Sequence, residues 1–158
     1  MKIKILFVCL GNICRSPAAE GIMKAKLKRN GLVELFEIDS AGILSYHEGE
    51  LPDSRMRSHA ALRDYVLDSC SRPVQYNDFF YYDRIIGMDE RNISKLNQMA
   101  PDLESKAKIS RMTDYCRCHS ADYIPDPYHE GSEGFELVLD LLEDACDGLI
   151  EDLAGFNQ

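Results

Sequence analysis

The stretch that most restricts this chain lies at its start. Residues 2–8, KIKILFV, alternate at first and then turn continuously apolar, and CLGNICRSP follows directly. A short run without a polar face suits a strand covered on both sides, the situation of a strand in a parallel sheet. Ser16-Pro17 reads as the cap and first residue of a helix reaching about Arg29. Its apolar positions Ala19, Ile22, Met23 and Leu27 share one face, and Asn30-Gly31 ends it. A strand that passes into a helix through a short loop commits the chain to a βα unit.

The remainder continues the alternation. Residues 32–38 read as a second strand and Asp39-Ser40-Ala41-Gly42 as a turn. Residues 43–54 read as an irregular loop carrying Tyr46 and His47, and a helix is predicted from about 53 to 65. A short strand at 82–87, a helix at 90–99 and a strand at 106–109 follow. Residues 110–130 read as a polar loop. The last helix, 132–154, carries the stripe Phe135, Val138, Leu139, Leu142, Ala145, Cys146, Leu149, Ile150 and Leu153. Four strands alternating with helices predict an α/β fold. Its expected form is an open four-stranded parallel sheet flanked by helices, flavodoxin-like or Rossmann-like, in a single domain over 1–158.

Charge narrows the partners. With 27 acidic and 18 basic side chains the formal charge is −9, which disfavours nucleic acid and anionic membrane surfaces as partners. The apolar run 5–10 falls far short of the roughly 18 residues of a membrane span. It is also short for a secretory leader and lacks a small-residue cleavage site, so a cytoplasmic location is expected. The six cysteines, Cys9, Cys14, Cys70, Cys116, Cys118 and Cys146, are then expected as reduced thiols. Cys116 and Cys118 do not have zinc-site spacing, so neither a metal nor a cofactor is expected. Nine acids and no Lys or Arg lie between Glu130 and Asp152. The solvated face of the last helix accounts for them, with a docking surface for a basic partner as the alternative.

Chemistry concentrates in CLGNICRSP. Cys9 stands at the carboxyl end of a predicted strand, where ligands bind in open α/β sheets. The loop amides and the helix start can form an anion nest, and Gly11 is expected to permit its turn. Arg15 can grip two oxygens of a tetrahedral oxyanion. The same field favours a thiolate at Cys9, able to attack phosphorus. The leaving group then needs a proton, and Asp126, braced between Pro125 and Pro127, is the candidate acid.

These motifs, CLGNICRSP, DSAG, MDERN and DPY, in that order along nearly the whole chain, resemble the low-molecular-weight protein tyrosine phosphatases. The resemblance implies a four-stranded parallel sheet and hydrolysis of phosphotyrosine and aryl phosphates through a phosphocysteine. It implies Cys9 as nucleophile, Arg15 as phosphate clamp and Asp126 as general acid, with Leu10, Gly11, Asn12, Ile13, Cys14 and Ser16 around the phosphate. Asn12, Ser16 and Ser40 would hold the loop's shape, and Ser16 would assist Cys9 as a leaving group. Tyr46 and Tyr128 would wall the substrate ring. Asp89 and Asn92 would act as supporting residues, with a helix N-cap as their plain alternative. Phosphotyrosine proteins or peptides are the implied partners, and Cys14 beside Cys9 implies reversible oxidation.

The chain departs from that family in places. Many members carry His-x-Ala-Arg where this chain has Ser69-Cys70-Ser71-Arg72, so a histidine that braces the loop is missing. His129 stands where several members have a second tyrosine. Arsenate reductases that resemble this fold need two further mid-chain cysteines, and residues 78–91 contain none. Members similar to phosphoarginine phosphatases carry a threonine where this chain has Ile13. A module that only bound phosphate would need neither the Cys9 thiol nor the Asp126 acid.

Overall fold

The computed structural model describes residues 1–155, so residues 156–158 of the expected domain lie outside the described residues. The strands are β1 Ile3–Cys9, β2 Phe36–Gly42, β3 Arg84–Gly87 and β4 Ile109–Arg111. The helices are α1 Arg15–Arg29, α2 Ser54–Ala61, α3 Asp78–Tyr81, α4 Glu90–Met99, α5 Leu103–Lys106 and α6 Ser132–Ala154. The strands form one sheet in the order β2-β1-β3-β4 with every pair parallel, as the alternation predicts.

The sequence of β1 follows from its central place. Successive side chains of a strand face opposite ways. Ile5 and Phe7 therefore enter the core shared with α1 and α6, while Leu6 and Val8 enter the core on the other face. All four are fully buried, and each contributes about 1.5–3 kcal/mol by leaving water. Cys9 continues the α1–α6 side. The chain leaves β1 for β2 on one side and returns on the other as β3. The loops at the carboxyl ends of β1 and β3 thus diverge and leave a crevice.

Several predicted boundaries move. Asp39-Ser40-Ala41-Gly42 is not a turn but the end of β2, paired as Leu6↔Asp39 through Cys9↔Gly42. The small residues there answer a close approach: a Cβ on Gly42 would lie 3.1 Å from the Asn12 backbone nitrogen. The expected start of this strand, 33–35, is a turn of 3-10 helix. Helix α1 begins at Arg15 with Cys14 flanking it, and Ser16 is not its cap. Pro17 is tolerated at the third helical position, because the first helical amides have no intrahelical acceptor to lose. Helix α2 is shorter than 53–65. Asp53 caps it through the amides of Arg55 and Met56, and Asp64 turns the chain in a left-handed conformation, φ 66°.

Further along, α3 precedes β3 where strand was expected from residue 82. Helix α5 occupies 103–106, so β4 starts at Ile109. The loop expected over 110–130 begins within β4 and includes a 3-10 turn at 112–115. The acidic face of α6 is largely partnered within the chain. Arg63 pairs with Glu136, Asp140 and Glu143, Lys26 with Asp147, and Arg117 with Glu151 and Asp152. The predicted α6 stripe is buried from Phe135 to Leu149, while Ile150 and Leu153 are half-buried against the same core. No helix among the described residues is long and apolar enough to cross a membrane.

Candidate active site

The loop after β1 turns its carbonyls outward. Cys9 O accepts from Ile43 N at 2.9 Å, Leu10 O from Leu44 N at 2.9 Å, and Ile13 O from Asp53 N at 2.8 Å. Gly11 O accepts from Ser71 Oγ at 3.1 Å. In a trans peptide the following N–H points opposite to the carbonyl. The amides of Leu10, Gly11, Asn12 and Cys14 are therefore aimed the other way, toward the inside of the loop. The left-handed residue of this turn is Asn12, φ 56°, not Gly11 as expected. Gly11 is small for another reason: a Cβ there would lie 3.1 Å from His47 Cδ2.

A cavity of about 250 Å³ opens over this loop. Cys9, Leu10, Gly11, Ile13, Cys14 and Arg15 form its floor and sides, and Tyr46, Asp126 and Tyr128 line it from above. Asn12 and Ser16, expected around the phosphate, are buried behind the loop. Asn12 Nδ2 donates to Ser16 Oγ at 2.7 Å and Ser40 Oγ at 3.0 Å, and Asn12 Oδ1 accepts from Arg72 N at 3.1 Å. Ser16 Oγ lies 3.0 Å from Cys9 Sγ, and the Ser16 amide donates to the same sulfur at 3.4 Å.

Arg15 is 2% exposed and is clamped from the β3 side. Its Nη1 donates to Asp89 Oδ2 at 2.7 Å and to Ile124 O at 3.0 Å, and its Nη2 lies 3.6 Å from Asp126 Oδ2. Burial works against the guanidinium charge. The charge on Cys9 and the hydrogen-bonded Asp89 outweigh it, and Arg15 holds its proton more firmly than usual. Asp89 and Asn92 combine both roles weighed for them. Asp89 Oδ1 and Asn92 Oδ1 close a capping box on α4, which leaves Asp89 Oδ2 for Arg15.

Asp126 arrives from the loop before α6. Ile124 fixes that loop by donating its amide to Met88 O at 2.8 Å, and the Tyr128 amide donates to Asp126 Oδ1 at 3.1 Å. Cys14 differs from Cys9 in its surroundings: burial first, and then the charges of Asp53, Cys9 and Asp126, push its thiol well above the ordinary range. No cluster of side chains suited to a metal ion occurs among the described residues.

The structure adds residues that the sequence did not single out for the site. His47 lines the cavity with Nδ1 2.7 Å from Glu50 Oε2. Its neighbour Tyr46 was the only signal for it. The missing histidine at Ser69 is offset by the next two residues: Ser71 holds Gly11, and Arg72 holds Asn12 while pairing with Asp39 and Asp78. Glu20 lies buried beneath the loop against Ser40, and its place one helical turn after Ser16 was the available clue.

Comparison with known proteins agrees with this geometry. The family model for low molecular weight phosphotyrosine protein phosphatase matches residues 4–157. A putative low molecular weight protein-tyrosine-phosphatase of Synechocystis is 43% identical over 150 residues, covering 95% of this chain and 96% of that protein. The crystal structure of a protein tyrosine phosphatase from Entamoeba histolytica, with Hepes in its active site, superposes with a TM-score of 0.95 at 47% identity, covering 99% and 100% of the two chains. YfkJ from Bacillus subtilis gives a TM-score of 0.92 at 35% identity, covering 100% and 98%. The chain belongs to the low molecular weight phosphotyrosine protein phosphatase family, an enzyme family of protein-tyrosine phosphatases.

Proposed function

We propose that this phosphatase hydrolyses phosphotyrosine in proteins or peptides in two steps. In the first, the Cys9 thiolate attacks phosphorus. The S–P bond forms as the P–O bond to the phenol breaks, and Asp126 passes its proton to the departing oxygen. In the second, water attacks the phosphocysteine and gives a proton to Asp126. The S–P bond breaks, and phosphate leaves as the thiolate is regained. Arg15 and the inward-turned loop amides hold the equatorial oxygens throughout, where charge builds up. Tyr46 and Tyr128 are the walls for the aromatic ring, set at a depth a phosphoserine would not span.

The observation that carries this reading is the meeting of Cys9, Arg15 and Asp126 around one cavity, although 117 residues separate the sulfur from the carboxyl in the sequence. The test is steady-state turnover of phosphotyrosine and of an aryl phosphate with a good leaving group. Cys9→Ser is expected to be inactive on both. Asp126→Ala is expected to lose about 10²–10⁴-fold on phosphotyrosine and far less on the better leaving group, as for a lost general acid. Equal losses on both substrates would remove Asp126 from the acid role. Faster turnover of phosphoarginine than of phosphotyrosine would overturn the substrate assignment.

A further inference from the structure

Glu20 is a buried acid that the reaction above does not use. It lies on α1 and is 4% exposed. Its Oε1 accepts from Ser40 Oγ at 2.6 Å, and its Oε2 accepts from Lys24 Nζ at 2.6 Å. From this end the direction of each hydrogen in the network behind the loop follows. An ionised carboxylate only accepts, so Ser40 gives Glu20 its one hydroxyl hydrogen. Toward Asn12, Ser40 Oγ can then act only as an acceptor, which requires the amide nitrogen there. The Arg72 amide independently fixes the same orientation, because it donates to Asn12 Oδ1. Asn12 Nδ2 therefore also donates to Ser16 Oγ. The hydroxyl hydrogen of Ser16 is left with two acceptors, Cys9 Sγ at 3.0 Å and Ala41 O at 3.4 Å, and the sulfur is the nearer.

We propose that Glu20, with Lys24 as its counter-ion, is a positioning residue. It polarises the relay Ser40–Asn12–Ser16 in one direction, so that the Ser16 hydroxyl donates to the Cys9 sulfur. A glutamine at position 20 could donate to Ser40, and the relay would lose its single direction. Removing Lys24 would leave a buried carboxylate without its cation, which favours the neutral acid and the same loss. The Lys24 side chain is itself half-exposed, so its replacement leaves the core intact. The charged groups facing Sγ are Arg15, Asp126, His47 and His129 around the cavity. Those near Glu20 are Lys24 and Asp68, which flank a small cavity of about 40 Å³ with Ser69.

The inference rests on Cys9 being the nucleophile, and the experiment separates the two ideas. Alkylation of Cys9 by iodoacetamide is followed against pH by peptide mass spectrometry, beside kcat and KM on an aryl phosphate, for wild type, Glu20→Gln, Lys24→Met and Lys24→Arg. In Glu20→Gln the alkylation midpoint is expected to move up by about half to one pH unit, and kcat to fall about three- to tenfold with KM little changed, as when one hydrogen bond to a charged acceptor weakens. Lys24→Met is expected to move both in the same direction by less, and Lys24→Arg to match wild type. A Glu20→Gln midpoint equal to wild type overturns the proposal even if thermal stability drops. If Glu20→Gln does not fold, the Lys24 pair decides: Lys24→Met indistinguishable from wild type also overturns it. Activity retained in Cys9→Ser would instead strike the parent reading.

Discussion

Two thiols five residues apart meet opposite conditions. Cys9 receives hydrogen bonds from Ser16, whereas Cys14 is buried among negative groups that hold its proton on. Peroxide oxidises the more exposed thiolate character to a sulfenic acid, and a neighbouring thiol can then displace water from it to give a disulfide. Mild peroxide is expected to inactivate the enzyme reversibly, with a Cys9–Cys14 disulfide on peptide mapping and recovery on adding dithiothreitol. Cys14→Ala is expected to convert that into irreversible loss through sulfonic acid at Cys9. Recovery of Cys14→Ala equal to wild type would count against the pairing. At this scale the residues legible in the sequence were those whose partners are close along the chain: Cys9, Arg15 and Ser16 all fall within one loop. Glu20 and Arg72 were not legible, because one looks like half of a surface i,i+4 pair with Lys24 and the other stabilises an asparagine 60 residues away.

Elements position the cavity walls through contacts that cross the fold. Asp53 caps α2 and takes both arms of Arg55, whose guanidinium then lies 5.3 Å from the centre of the Tyr128 ring and 5.0 Å from that of Phe135 on α6. Arg55 thus supports one wall of the cavity without lining it. Arg55→Ala is expected to raise KM for phosphotyrosine about two- to fivefold with kcat nearly unchanged, the scale of one exposed cation–π contact. Steady-state kinetics would show it, and a loss confined to kcat would contradict it. Element types followed from periodicity, since a buried strand and an amphipathic helix each impose their own spacing. The boundaries that moved share a different cause. Residues 39–42 have turn-like composition because β2 must pass close beneath Asn12, so packing rather than backbone reversal selected small side chains.

Across the whole molecule, the long connection between β4 and α6 is what brings Asp126 to Cys9, and a second buried acid secures it. Asp144 on α6 accepts from the amides of Arg117, Cys118 and His119 at 2.8–3.1 Å and from the His119 ring at 2.8 Å. The preceding residue pair is tight as well: a Cβ on Gly148 would fall 1.7 Å from Tyr115 O, so only glycine lets the helix approach. Burial raises the Asp144 carboxyl, but those four donors outweigh it and lower it from 3.8 to about 2. A depressed folded value means stability that is complete above the unfolded value and is lost as pH falls through the folded one. Asp144→Ala is expected to cost on the order of 2 kcal/mol at pH 7 by urea unfolding. At pH 3 the gap to wild type is expected to shrink to about half, because the wild-type carboxylate has by then lost part of its advantage. A gap that stays constant from pH 7 to pH 3 would mean that the acid's charge is not what holds the connection to α6.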